Sequence, residues 1–369
     1  MNSAILDIET LGLLRDSIER YGSEKYGFES RAGRLAGEGF GRDAWADYAA
    51  MGWLAMALPA DAGGLESAPA AVGALMEYAG ERLALEPLFA SVVLCGRALG
   101  LAAGDAAALR ASASLAAGER LFAFAHAEDA SLGNAREVRT SWRGGRLSGR
   151  KVVVLHGDVA DELVVTARDA ATGSLCLLLV PVEQPGVERT RYRLVDRRGA
   201  ASFRFREASA APFATAAEAE AILARCLDEA RLALCSEAHG AVRALNRMTL
   251  AYLKERRQFG RPLGTNQVLQ HRMVESYMLE QEIAAVVAAA RRQLEAGARE
   301  RERSIVAAAA HAMAAARHVS HDAVQMHGGI GITDELAVSH YFTRIMVVNR
   351  LLGDRQQHLD RFAQLQGSP

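Results

Sequence analysis

Cysteine is scarce in this 369-residue chain. Cys95, Cys176, Cys226 and Cys235 are scattered and form no C-x-x-C pair, so no disulfide framework or paired metal-ligand spacing is on offer. The expectation is four reduced, buried thiols in a cytoplasmic protein. An excess of either charge is also missing: 43 Lys and Arg face 44 Asp and Glu. Nothing therefore points to a nucleic acid or an anionic membrane as partner. No apolar run is long enough to span a bilayer. The richest, Ile283 to Ala290, stops at Arg291-Arg292. Met1 to Glu9 carries acids early and no basic region, which argues against a signal peptide. There is no P-loop, no G-x-S-x-G elbow and no strand-borne dinucleotide fingerprint.

What is present is an ordinary globular composition, half hydrophobic and a quarter charged, in a chain long enough for two or three domains. Residues 1–118 read as helical: Ile8, Leu11, Leu14, Ile18 and Tyr21 recur at helical spacing, as do Trp45, Tyr48, Met51 and Leu54. Pro59 and Gly63-Gly64 break this pattern with a loop, and an Ala/Leu-rich helical region follows Pro87. Residues 119–212 change character. Leu121–Ala125, Lys151–Leu155, Leu163–Ala167 and Leu175–Val180 are short apolar runs, and Ser202–Arg206 alternates strictly. With no long helix between them, they predict an antiparallel β-barrel or sandwich. Residues 213–369 return to Ala-rich helical patterns suited to a close-packed bundle. The fold class is thus α+β, in the order helices, strands, helices.

Two stretches stand out in the last region. Gln325-Met326-His327-Gly328-Gly329-Ile330-Gly331-Ile332-Thr333-Asp334-Glu335 separates two helical patterns, the second from Leu336 to Met346. Taken alone, its glycines make a helix C-cap turn. Tyr252 to Gly264 contains Arg256-Arg257-Gln258-Phe259-Gly260, with Gln267 and Gln270 behind it. In this order and separation the pair resembles the C-terminal helical domain of the acyl-CoA dehydrogenase family. The segment Gly52-Trp53 to Pro59 and Gly63-Gly64 is similar to the family's N-terminal domain, and the resemblance covers nearly the whole chain. The overall pattern looks most like the pimeloyl-CoA dehydrogenase small-subunit-like branch.

That resemblance implies an FAD-dependent enzyme removing hydrogens from C2 and C3 of an acyl-CoA thioester. Such chemistry needs a base, a polarised thioester carbonyl and a flavin. Carried over by position, Arg256 would contact the FAD pyrophosphate of a neighbouring subunit. Gln258 and Phe259 would flank it, and Gln325, Gly328 and Gly329 would approach the diphosphate or adenosine. Phe124 and Ala127 fall on the family's flavin-binding segment. Ala127 stands where the family has Thr, so only backbone contacts survive there. After Gly149-Arg150-Lys151, Val153 replaces the usual Trp and Leu155 the usual Thr. His126 and His156 are extra, within reach of a flavin edge or simply structural.

Both usual positions of the catalytic Glu are empty. They carry Leu352 in Asn349–Asp354 and Ala230 in Leu227–Arg231. Candidate bases are Glu237, Glu229 and Asp354. Each has a structural alternative: Glu237 as a buried hydrogen-bonded group, Glu229 facing solvent or Arg225, and Asp354 capping the helix after it. The backbone N–H of Leu352 is still able to polarise a thioester. The branch is often heteromeric, which implies a homotetramer or an α2β2 heterotetramer with a large acyl-CoA dehydrogenase subunit. Electron-transfer flavoprotein is the expected acceptor. The acyl group would be dicarboxylyl, branched, aromatic or ring-bearing. Competing readings are a homomeric enzyme with a relocated base, a catalytically silent structural subunit, and a flavin monooxygenase or oxidase on the same fold. His311, His318 and His321 share a helix, but no Cys or carboxylate cluster joins them, and no metal site is expected.

Overall fold

The computed structural model describes residues 8–60, 64, 69–129 and 137–367. Most of Met1–Glu9, read as unlike a signal peptide, and Gly63 lie outside the described residues. The helices are α1 (Ile8–Lys25), α2 (Ser30–Ala36), α3 (Arg42–Ala50), α4 (Pro69–Glu81), α5 (Arg97–Leu101), α6 (Ala106–Ala116), α7 (Ala216–Glu255), α8 (Gln267–Arg292), α9 (Ala298–His327), α10 (Ala337–Val348) and α11 (Arg355–Gly367). The strands are β1 (Phe122–Ala125), β2 (Ser141–Arg143), β3 (Arg146–Leu155), β4 (Glu162–Asp169), β5 (Leu175–Pro181), β6 (Val187–Arg193), β7 (Gly199–Ser209), β8 (Ala211–Thr215) and a two-residue pair, β9 (Arg257–Gln258) and β10 (Arg261–Pro262). The chain forms two compact units. One holds Met1–Gly12, Arg31–Val72 and Leu85–Ala230, and the other Leu13–Ser30, Gly73–Ala84 and Arg231–Pro369.

The first unit is built on the sheet, whose strands run in the order β6-β7-β3-β2-β4-β5-β8, with β1 beside β4. Antiparallel pairing dominates, as the short apolar runs predict, but β1 and β2 each join β4 in parallel. β4 and β5 are buried along almost their whole length, which is why they read as unbroken apolar runs. β7 alternates buried and outward residues, as its Phe-Arg-Phe-Arg run requires. Leu147, Val154, Phe203 and Phe205 meet Leu163, Val165, Leu178 and Val180 in one core, so the sheet folds over on itself. β2, β6 and β8 were not legible in the sequence. The helical region after Pro87 opens with a π-helical stretch, Leu88–Gly96, buried at all nine residues. Ser91 in it donates to the Phe122 carbonyl of β1.

The second unit is a helical bundle held by small residues and buried charge. A Cβ on Gly80 of α4 would lie 1.9 Å from the Glu237 carbonyl oxygen. One on Gly240 of α7 would lie 1.9 Å from that of Glu77. The two helices therefore cross backbone to backbone, where only Gly fits. Arg243 and Arg247 of α7 bind the buried Glu81 carboxylate. Burial pushes its pKa up, but the two guanidiniums outweigh this and hold it below the ordinary range. α10 begins and ends within two residues of the predicted span.

Candidate functional site

Within the second unit, the two sequence stretches meet. α7 ends where the Arg256 N–H donates to the Tyr252 carbonyl (2.8 Å) and Leu263 returns an N–H to the Arg256 carbonyl (2.8 Å). Between them β9 and β10 pair Gln258 with Arg261, leaving Phe259 and Gly260 as a two-residue turn. Both have left-handed φ, +50° and +77°, the pattern of a type I′ hairpin. Gly accepts this freely; Phe does not. Phe259 is also fully exposed, so it serves no core of its own unit. This hairpin falls in a region whose pattern is otherwise helical.

α9 ends at His327, whose ring stacks on Tyr252 with centroids 4.3 Å apart. The Tyr252 hydroxyl donates to the His327 carbonyl (3.3 Å). This contact fastens the glycine turn to the arginine turn. Gly328 has φ +68° and ψ −148°, a conformation reserved for Gly. Nothing lies within 4 Å of where a Cβ on Gly328 or Gly329 would be, so that face of the turn is sterically open, although the Gly328 N–H is bonded to the Gln325 and Val324 carbonyls. Arg256, Gln258 and Gln325 are exposed on the two stretches, with Ile330 and Ile332 also outward. A permanent cation, two amides and an unobstructed glycine turn beside apolar surface fit an anionic ligand with a flat apolar part. A flavin dinucleotide has that composition.

The first unit holds the other candidate segment, at the end of β1. Phe124 is buried, and the Ala127 carbonyl accepts the Val152 N–H (2.9 Å). The fully buried Lys151 secures this corner. Its ammonium donates to the His126 carbonyl (3.0 Å), the Glu128 carboxylate (2.8 Å) and the Thr166 hydroxyl (3.0 Å). Thr140 and the Arg139 N–H also bind Glu128. Burial pulls the Lys151 pKa down to about 8 despite Glu128. Burial raises that of Glu128, but Lys151 and Thr140 outweigh it and hold it below the carboxylate norm. His126 is tied through Nδ1 to Thr166 (2.9 Å), and His156 is buried. Val153 has φ +50°, which a β-branched residue adopts only under constraint. Its N–H donates to the Tyr192 hydroxyl (2.9 Å). The sequence reading missed both Lys151 and Tyr192. For Lys151 the signal was available: a lysine among valines in a buried strand needs a partner.

The three candidate bases each have structural employment. Glu237 and Arg344 form an ion pair (2.9 Å) with each side chain only 1% exposed. Glu229 is held by Arg97 (2.8 Å) and by Arg225. Asp354 caps α11: its carboxylate accepts the Gln357 N–H (3.0 Å), while the Gln357 side chain accepts the Asp354 N–H (2.8 Å). The Leu352 carbonyl accepts from Arg231 (3.4 Å). His358 lies against Gly353, its pKa lowered to about 4 by burial and by Arg231. The three helix histidines have separate neighbours: His311 pairs with Glu282, His318 with Asp322, and His321 meets Phe342 edge-on. All four cysteines are free and buried.

Residues 220–365 match the acyl-CoA dehydrogenase C-terminal domain. The acyl-CoA dehydrogenase IpdE2 of Mycolicibacterium smegmatis is 32% identical over 208 residues, covering 56% of this chain and 59% of that protein. The match thus spans a little over half the length of that relative. A solved variant of the Tcur3481-Tcur3483 steroid ACAD superposes with TM-score 0.87 at 27% identity, over 97% of this chain and 98% of that one. The ChsE4-ChsE5 complex from Mycobacterium tuberculosis shares the fold, with TM-score 0.86 at 23% identity over both full lengths. Among the described residues no helix is long and apolar enough to cross a membrane.

Proposed function

We propose that this chain, whose residues 220–365 match the acyl-CoA dehydrogenase C-terminal domain and whose fold is shared with a solved steroid ACAD, is an FAD-binding subunit of a heteromeric enzyme that dehydrogenates a ring-bearing acyl-CoA. A partner acyl-CoA dehydrogenase chain supplies the base. The observation that carries this reading is the state of the carboxylates. Leu352 and Ala230 occupy the base positions, and Glu237, Glu229 and Asp354 are each committed to an ion pair or a helix cap. A base must be free to accept a proton from carbon, and each of these carboxylates is already engaged by another partner.

When bound, the flavin would take hydride from C3 of the substrate. This chain's residues would have three roles in that scheme. Arg256, Gln258, Phe259, Gln325, Gly328 and Gly329 would hold the diphosphate and adenosine end of a flavin carried by a neighbouring subunit. The corner around Phe124 and Ala127 receives the ring. The Leu352 N–H would polarise the thioester carbonyl. The steroid character of one structural relative and the two-component names of two of them support the ring-bearing substrate and the partner chain.

The test is to purify the chain alone and with a co-expressed large subunit. Absorbance at the flavin bands, mass in solution and acyl-CoA turnover with an artificial electron acceptor are then recorded. Turnover is expected only from the pair. Full turnover by the chain alone would sink the proposal. Loss of that turnover in Glu237→Gln, Glu229→Gln or Asp354→Asn would then identify the relocated base.

A further inference from the structure

The bulge in β3 has a structural keeper on β6. Lys151 pairs with Phe203 of β7 and Val154 with Ala201, so Val152 and Val153 together face Ser202 alone. That extra residue turns two N–H groups out of the ladder. The Val152 N–H goes to the Ala127 carbonyl. The Val153 N–H goes to the Tyr192 hydroxyl of β6, the strand beyond β7. Tyr192 pairs with Ala200, which puts it on the same face of the sheet as Ser202. Its hydroxyl lies 3.4 Å from Ser202 Oγ as it crosses to Val153. Val153 is thus held in a left-handed conformation costly for valine, at the place where this chain lacks the usual tryptophan wall.

We propose that Tyr192 is a positioning residue for the flavin. It accepts the Val153 N–H, keeps the bulge closed and so fixes both the Val153 wall and the Ala127 segment tied to Val152. The proposal rests on the flavoprotein reading above. It assigns Tyr192 no contact with the reacting atoms.

Two measurements test it. In the full chain, Tyr192→Phe removes the acceptor and keeps the ring. Amide exchange across Val152–Leu155 should quicken about tenfold, the factor a lost hydrogen bond corresponds to. Unchanged exchange overturns the clamp whether or not flavin binds. In the co-expressed complex, the same variant should bind FAD about tenfold more weakly, with broadened flavin absorption bands. Val153→Gly adopts the left-handed φ without strain. In that background Tyr192→Phe should therefore change FAD affinity little. An equal loss in both backgrounds would mean that Tyr192 touches the cofactor directly, and positioning through Val153 would be overturned. A wild-type complex without FAD would sink the flavoprotein reading and the flavin half of this proposal; the exchange measurement still decides the clamp.

Discussion

The glycine elbow of the helical unit and the β1–β3 corner of the sheet unit are two candidate cofactor surfaces built on opposite principles. The elbow keeps its side chains and backbone outside. Phe259 is fully exposed, Arg256 and Gln325 are exposed, and the glycines at 328 and 329 face open space. The corner keeps its polar groups inside. Lys151, Glu128 and Thr166 are buried and bonded to one another. A surface of the first kind can lose a side chain and still fold, because that side chain packs on nothing in its own unit. A surface of the second kind cannot, because each polar group is the partner that makes another tolerable in the interior. The comparison separates residues that serve binding from those that serve the scaffold beneath it.

The largest effect should come from Lys151→Met. It leaves the Glu128 carboxylate buried without its cation, a loss of about 3–5 kcal/mol in unfolding free energy. Chemical denaturation of the apo-protein measures it. A loss under about 1 kcal/mol, the usual surface-pair value, would show that the corner is not the buried network described. Arg256→Ala should do the reverse. Unfolding stability should stay within about 0.5 kcal/mol of wild type, as for other surface changes. FAD affinity in the complex should fall by about tenfold or more, since a charge-assisted pair to phosphate is lost. A destabilised Arg256→Ala with normal FAD binding would collapse the distinction.

Alkaline pH sharpens it. The Lys151 pKa is lowered to about 8, from 10.5 in the unfolded chain. Between those values the unfolded state holds a proton that the folded state has released. Stability therefore rises with pH across this window. Wild type should gain on Lys151→Met between pH 8 and pH 10 in parallel denaturation series. Curves that stay parallel would place the Lys151 titration elsewhere.

Much of this was legible in sequence, and the physical reasons differ by element. The helical bundle was readable because apolar residues recur at helical spacing, and the runs that became β4 and β5 because burial on both faces leaves an unbroken apolar trace. The glycine elbow was readable because only Gly takes the Gly328 conformation. β2 and β6 were not. β6 reads Val-Glu-Arg-Thr-Arg-Tyr-Arg because it lies at the sheet edge and is mostly outward, so its polarity hid it. The β9–β10 hairpin is two residues a side, too short for any periodicity. The engagement of the carboxylates was beyond sequence for another reason. Glu237 and Arg344 are 107 residues apart, and no local pattern reports such a pairing.

The smallest predicted effect separates a cap from a base. Asp354→Ala removes the acceptor for the Gln357 N–H at the start of α11 and should cost about 1 kcal/mol. A cap mutation acts on the folded state as a whole, so turnover per folded complex should be unchanged, as should its pH profile. A base acts only on the proton transfer, so its loss would cut kcat by orders of magnitude while leaving stability near wild type. Asp354→Asn divides the two further. Asn caps nearly as well as Asp but accepts no proton from carbon. A stable but inactive Asp354→Asn complex would return Asp354 to the chemistry and remove the need for a base from the partner. A stable, active one leaves Asp354 with the helix it starts.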